Sequence, residues 1–329
     1  MRVTILLILL LISMTLPLTT ASEEKPVVVT SITPLASIVR EAFGDSVDVV
    51  YLIPLGIDPH EYQLTAQQVE MLGKADVIVT TGGHLPAEQR MVELQKEGLI
   101  RGKVLLIEDY KKFGFRYMKE HWYNEKNNPH GIWLDPYNAI AIAEAVKDAL
   151  IEQYPANANI YGAEFEKFRI KVESIADAYT KTVSDMSSRL KAVIQMPPDQ
   201  YAVEWLGIKV ISSIKPEEEV PAEGVDDLLR TAKNATLIVY SSSSSEQLKK
   251  AALELSAKSG RPLADITVFW KDRPYTEVLE ENTANIIKAL SGNKVVEEPI
   301  RGNNWVAYVL ASLIVGIVLG TAIGFIIKE

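Results

Sequence analysis

Cysteine is absent from this 329-residue chain. No disulfide braces it, so its stability has to come from a packed core, which a chain of this size can supply. Positive charge is in deficit: 34 Lys and Arg stand against 43 Asp and Glu, a net charge of −9. Nothing basic clusters to neutralise phosphates, which argues against nucleic acid as a partner. Histidine is scarce, with four copies in all. What is left, with 47% hydrophobic and 23% charged residues overall, is ordinary globular material, long enough for two modest domains.

The two ends read as a leader and an anchor. Residues 1–21 form a signal peptide, with Arg2 as the positive start and Val3 to Leu16 as an apolar run too short to span comfortably. Thr19-Thr20-Ala21 is the small-residue exit before Ser22-Glu23-Glu24. A retained N-terminal anchor is the alternative. Trp305 to Ile327 holds 23 residues without a charge, about 35 Å as a helix at roughly 1.5 Å per residue. Trp305 and Tyr308 stand where an aromatic belt belongs, and Lys328 marks the far side in the positive-inside sense. A buried core helix is the competing reading, but such helices rarely lack a polar stripe over this length. Gly316, Gly320 and Gly324 fall four apart, as on a close-packing helix face, although membrane-helix composition also accounts for them. The expectation is a linker over 293–304, one C-terminal transmembrane helix over 305–327, and a globular part outside the cell. Asn234-Ala235-Thr236 is an N-glycosylation sequon in that part, just ahead of a predicted strand.

Between the ends, strand-like runs alternate with helical patterns, which predicts α/β units with parallel sheets. Strands are expected at Val27–Thr30, Val47–Ile53, Val77–Thr80 and Val104–Ile107, with helices from Ala66, Ala87 and Pro136 and a long loop over 108–130. Phe165, Phe168, Val172, Ile175, Tyr179, Val183, Met186 and Leu190 recur three or four apart with charges between them, predicting one helix of about 50 Å from near Asn157. The alternation then resumes, with strands at Ala192–Ile194, Lys209–Ile211, Leu237–Tyr240 and Ile266–Trp270 and a final helix over Tyr275–Leu290. Five serines, Ser241 to Ser245, are placed to start a helix. The predicted organisation is an N-terminal α/β lobe over 26–155, a connecting helix over 156–191 and a C-terminal α/β lobe over 192–292.

Two of the histidines sit in matching loop settings, Asp58-Pro59-His60-Glu61-Tyr62 and Asn128-Pro129-His130-Gly131-Ile132-Trp133-Leu134-Asp135-Pro136. The proline before each histidine holds the backbone extended. Neutral imidazole is the commonest side-chain ligand for a transition metal. In open α/β sheets, ligands collect beyond the carboxyl ends of strands, so His60 and His130 are expected to converge on a metal. Asp58, Asp135 and Glu61 are better suited to shaping the loops or orienting an imidazole.

With Gly56-Ile57 ahead of the first loop and Lys74-Ala75-Asp76-Val77-Ile78-Val79 after it, residues 26 to about 292 resemble the substrate-binding receptors of zinc/manganese ABC importers. The resemblance implies two lobes joined by one long helix and one metal ligand from each histidine loop. It further implies zinc or manganese as cargo, an ABC permease as partner, and binding without catalysis. Relatives of this kind are often tethered by lipid on a cysteine; with none here, the C-terminal apolar run would be the substitute. The family's carboxylate ligand near the last strand falls on Asp272, in Lys271-Asp272. Its remaining ligand, a histidine or glutamate, falls on Met196 in Gln195-Met196-Pro197-Pro198-Asp199. Methionine is soft and suits copper(I) better than zinc or manganese. Asp199 is the nearest carboxylate and the candidate substitute, with water as the other. Gly131 is a second, milder departure. His84, in Gly82-Gly83-His84, reads as a loop residue near the lobe surface, and His121 as part of the long loop before His130. Two other classes compete: a metal-dependent hydrolase, which lacks an evident general base beside these histidines, and an anchored adhesion protein with a degenerate site.

Overall fold

The structure, a computed structural model, describes residues 25–217 and 221–292. The predicted signal peptide, linker and transmembrane helix lie outside the described residues. Among the described residues no helix is long and apolar enough to cross a membrane.

The chain divides into two compact units. The first comprises the described residues up to Arg116, with Tyr137–Lys171 and Phe269–Tyr275. The second comprises Tyr117–Pro136, Val172–Val268 and the described residues from Thr276 onward. Each contains a four-stranded, all-parallel sheet, as the alternation predicts.

In the first unit, β1 (Val27–Ile32) is buried from Val28 onward. A central strand of a parallel sheet is covered on both faces and therefore reads as a nearly continuous apolar run. Helix α1 (Thr33–Phe43) carries Pro34 in its first turn, where a missing N–H leaves no bond unmade, and it buries Leu35, Ile38, Val39, Ala42 and Phe43 at helical spacing. Strand β2 (Asp48–Ile53) is less covered at its start, in keeping with its edge position. Helix α2 (Ala66–Leu72) is opened by a capping box of Thr65 and Gln68. Then come β3 (Val77–Val79), α3 (Pro86–Lys96), β4 (Lys103–Leu105), α4 (Ile107–Lys111) and α5 (Pro136–Gln153). The strand order is β2-β1-β3-β4, with Val28 paired to both Val49 and Val77. The chain thus leaves β1 to one side and returns on the other, which makes β1 the topological switch of this sheet.

Helix α6 (Ala158–Met186) has 29 residues, about 43 Å at roughly 1.5 Å per residue. Its residues through Lys171 belong to the first unit and the rest to the second. Tyr161, Phe165, Phe168, Val172, Ala176 and Val183 are buried along it, close to the predicted stripe. The second unit continues with β5 (Lys191–Ile194), α7 (Asp199–Val203), β6 (Lys209–Ser213), α8 (Val225–Ala232), β7 (Leu237–Tyr240), α9 (Glu246–Ser259), β8 (Leu263–Asp265) and α10 (Tyr275–Leu290). Its strand order is β6-β5-β7-β8, the same pattern as the first sheet. Val193, Ile238, Leu228, Leu248 and Leu255 form its core. Ser245 caps α9 by accepting from the Leu248 N–H, the role foreseen for the serine run.

Three local expectations are corrected. The strand expected to reach Ile107 stops at Leu105, because the Asp109 carboxylate accepts from the Leu106 N–H at 3.1 Å and opens α4 there. The strand expected over Ile266–Trp270 lies earlier, at Leu263–Asp265. Beyond it both polar groups of the Thr267 backbone bond to the Asn282 side chain, at 2.7 and 2.9 Å, in place of a strand neighbour. The long helix ends at Met186, not Leu190, since the Arg189 N–H is taken by the Ser187 hydroxyl.

Candidate metal centre

In the first unit, the loops leaving β2 and β3, the strands flanking the switch strand β1, each bring up a histidine. The β2 loop turns on Asp58, whose carboxylate accepts the His60 N–H at 2.9 Å; this is the loop-shaping role predicted for it. Tyr62 and Gln68 tie the far side of the loop back to the Leu52 carbonyl, the Gln68 amide at 2.8 Å. The β3 loop turns at Gly82 and Gly83, both with positive φ (118° and 90°). A Cβ on Gly82 would stand 2.4 Å from Ile107 Cγ1, so the tight passage over α4 requires glycine.

These two turns bring His84 against His60. Their ring centroids are 6.0 Å apart at 51°, and each offers a ring nitrogen within 4.8 Å of the other's. Burial pushes the His84 pKa down to about 4, and the neighbouring His60 adds to the shift. At neutral pH His84 is therefore uncharged, the form that binds metal. Nδ1 of His84 lies 3.2 Å from the Thr81 hydroxyl, which contacts the buried carboxylate of Glu88. Sequence reasoning placed His84 near the surface and gave it no metal role. The signal that could have found it is a Gly-Gly pair directly after a buried strand, followed by the histidine and then by a glutamate in the first turn of a helix.

Asp272 also belongs to the first unit. It is exposed, with φ of 55°, and its carboxylate stands 3.7 Å from Arg40 and 3.6 Å from Lys271. It is not part of the histidine grouping.

In the second unit, the His130 loop is held to α7. The Asn128 side chain donates to the Pro197 carbonyl at 2.8 Å and to Gln200 at 2.9 Å, and its oxygen accepts the His130 N–H at 2.9 Å. Tyr201 donates to the Asn128 carbonyl at 2.8 Å. Gly131 has φ of 76°, and a Cβ there would stand 2.5 Å from the Pro198 oxygen. The glycine counted as a departure is thus what lets this loop lie against its neighbour. Trp133 anchors the end of the loop by donating to the Val268 carbonyl at 2.9 Å.

Asp199 is buried at the start of α7, and its Oδ2 accepts from the Gln195 and Met196 amides, each at 3.1 Å. Met196 packs against the core of the second unit. His121 contacts the Val210 carbonyl through Nε2 at 2.7 Å, with Glu204 at 3.4 Å, which gives it a structural place in its loop.

A family model described as ZnuA, zinc-uptake complex component A, periplasmic, matches residues 28–289. The zinc-binding protein AdcA of Streptococcus pyogenes serotype M1 is 24% identical over 304 residues, covering 84% of this chain and 59% of the relative. The zinc-binding lipoprotein AdcA of Streptococcus pneumoniae strain R6 is 26% identical over 296 residues, covering 84% and 58%. The chain thus spans about three-fifths of the length of these curated relatives. Among solved structures, a crystal structure of ZnuA superposes with a TM-score of 0.65 at 22% identity, covering 81% of this chain and 100% of that one. FpvC from Pseudomonas aeruginosa in complex with Mn2+ does so with 0.67 at 19% identity, covering 82% and 99%. These superpositions establish the fold: two α/β lobes with parallel sheets and a long helix. The model match over most of the chain establishes the lineage, and the protein belongs to the ZnuA family of periplasmic zinc-uptake components.

Proposed function

We propose that this protein captures a divalent transition metal, zinc or manganese, outside the cell and hands it to an ABC permease of the same transport system. It binds and releases; it carries out no catalysis. In this reading His60, His84 and His130 are the imidazole ligands, and Asp272 is the carboxylate that offsets part of the cation's charge. Asp199 serves the turn after β5 in place of a ligand role. The observation that carries the reading is the His60–His84 pair, two imidazoles raised on loops at the carboxyl ends of the two strands that flank β1, in a chain of a zinc-uptake family. An imidazole-rich donor set favours zinc, whereas manganese is better served by oxygen donors. The core packing of Met196 speaks against a copper(I) site built on its sulfur.

The reading includes export by residues 1–21 and attachment by one transmembrane helix over 305–327. The charge-free length of that segment supports this, as does its aromatic and basic flanking. The test is calorimetric titration of the full chain, purified without chelator, with zinc and with manganese. One ion per chain is expected, with zinc the tighter; no binding of any divalent transition metal would sink the proposal.

A further inference from the structure

The hydrogen bonds behind His84 have a direction. Glu88 is fully buried in the first turn of α3. Its oxygens receive the Thr81 N–H at 2.6 Å and the Gly83 N–H at 2.9 Å, and the Thr81 hydroxyl lies 2.9 Å from both of them. Backbone amides donate and cannot accept, and an ionised carboxylate accepts and cannot donate. Burial raises the Glu88 pKa, but the Thr81 and Gly83 amides and the Thr81 hydroxyl aimed at its oxygens oppose that shift and favour the ionised form. The cluster is therefore complete when Glu88 is the common acceptor. Thr81 has a single hydroxyl proton. Once it is given to Glu88, none is left for His84 Nδ1, 3.2 Å from the same oxygen. That contact is then a hydrogen bond only if Nδ1 carries the proton and donates it to Thr81. A neutral imidazole has one N–H, so its lone pair resides on Nε2.

We propose that Glu88, acting through the Thr81 hydroxyl, is a positioning residue that fixes neutral His84 in the Nδ1–H tautomer and so assigns Nε2 as its metal-binding atom. The tautomer lock is a property of the metal-free protein; its use in metal capture rests on the reading of His84 as a ligand. The competing role for Glu88 is to hold the Gly82-Gly83 turn through the Thr81 and Gly83 amides alone. That role would leave the ring nitrogens of His84 indifferent to the carboxylate.

Nitrogen-15 NMR of the metal-free full chain, labelled at histidine, separates the two roles. Four histidines give a sparse spectrum, and His84→Gln identifies the resonance. The expected wild-type result is the Nδ1–H pattern at His84. Thr81→Val removes the acceptor. Glu88→Gln lets an amide donate to Thr81, whose proton then turns to Nδ1. Both should move His84 toward the Nε2–H pattern, while Thr81→Ser keeps it unchanged. Zinc affinity should fall about tenfold in Thr81→Val and in Glu88→Gln and be restored in Thr81→Ser. Should Glu88→Gln fail to fold, Thr81→Val carries the test alone. An Nε2–H pattern in the wild type, or a His84 pattern unmoved in the folded variants, would overturn the proposal. A tautomer that responds as expected beside zinc binding unchanged in His84→Ala would uphold the lock and sink the ligand reading instead.

Discussion

His60 and His84 lie in loops 24 positions apart yet within one imidazole's reach of each other. If His60, His84 and His130 are the ligands, replacing any one with Ala should lower zinc affinity at least tenfold, about 1.4 kcal/mol, in calorimetric titration. Unchanged binding in a variant would remove that residue from the set. The carboxylates should separate by readout. Asp272→Ala should weaken zinc binding with little effect on melting, because the side chain is exposed. Asp199→Ala should lower stability, since it strands one buried and one half-buried amide, at about 1–3 kcal/mol for a fully buried unsatisfied group. The reverse pattern would exchange their roles. The pH dependence at His84 has a definite sign. Its folded pKa of about 4 lies below the ordinary imidazole value of about 6.5, so the unfolded chain binds the extra proton. The metal-free protein should therefore hold this contribution above pH 6.5 and lose it progressively as the pH falls toward 4, on the order of 3 kcal/mol in all. Chemical denaturation across that window should show the slope, and His84→Gln should flatten it.

At the scale of elements, turns decide more than helices do. The helices follow from apolar spacing and caps, such as Thr65 with Gln68 before α2 and Ser245 before α9. The two histidine-bearing turns instead depend on glycines that let backbone pass close to other atoms. Gly131 and Gly207 offer a controlled comparison. Both have φ near 80°, but a Cβ on Gly131 would collide with Pro198, whereas nothing stands within 4 Å of one on Gly207. Gly207→Ala should cost only the left-handed backbone penalty, about 1–2 kcal/mol. Gly131→Ala should lower the melting temperature further and weaken zinc binding, because the clash displaces the loop that carries His130. Equal losses in the two variants would show that the close approach is unimportant.

For the whole molecule, binding and stability are linked. A ligand that binds only the folded state adds RT ln(1 + [L]/Kd), about 2.7 kcal/mol at a hundredfold excess over Kd. Zinc should therefore raise the melting temperature of the wild-type chain and fail to do so in a His60→Ala, His84→Ala double variant. Attachment is tested separately: the full chain should partition with membranes, and a chain ending after residue 304 should be released in soluble form. Release of both would refute the anchor.

The sequence by itself determined the α/β class, the parallel sheets, the long helix and the two Pro-His loops. Each of these is written in local periodicity or in a contiguous motif, such as the Val27-Val28-Val29 run of a strand covered on both faces. The tertiary structure decided what depends on residues meeting from different loops. His84 joined the candidate site because β3 lies beside β1, and its turn brings it to His60 from a separate loop. Asp199 is given to backbone amides that no spacing rule identifies. The Thr267 backbone bonds to a side chain fifteen residues away instead of forming a strand. For His84 and Thr267 the deciding partner is remote in sequence, and only the packed chain brings it within ligand or hydrogen-bonding distance. For Asp199 the partners lie three and four residues back, and the fold of the turn after β5 is what aims the carboxylate at them.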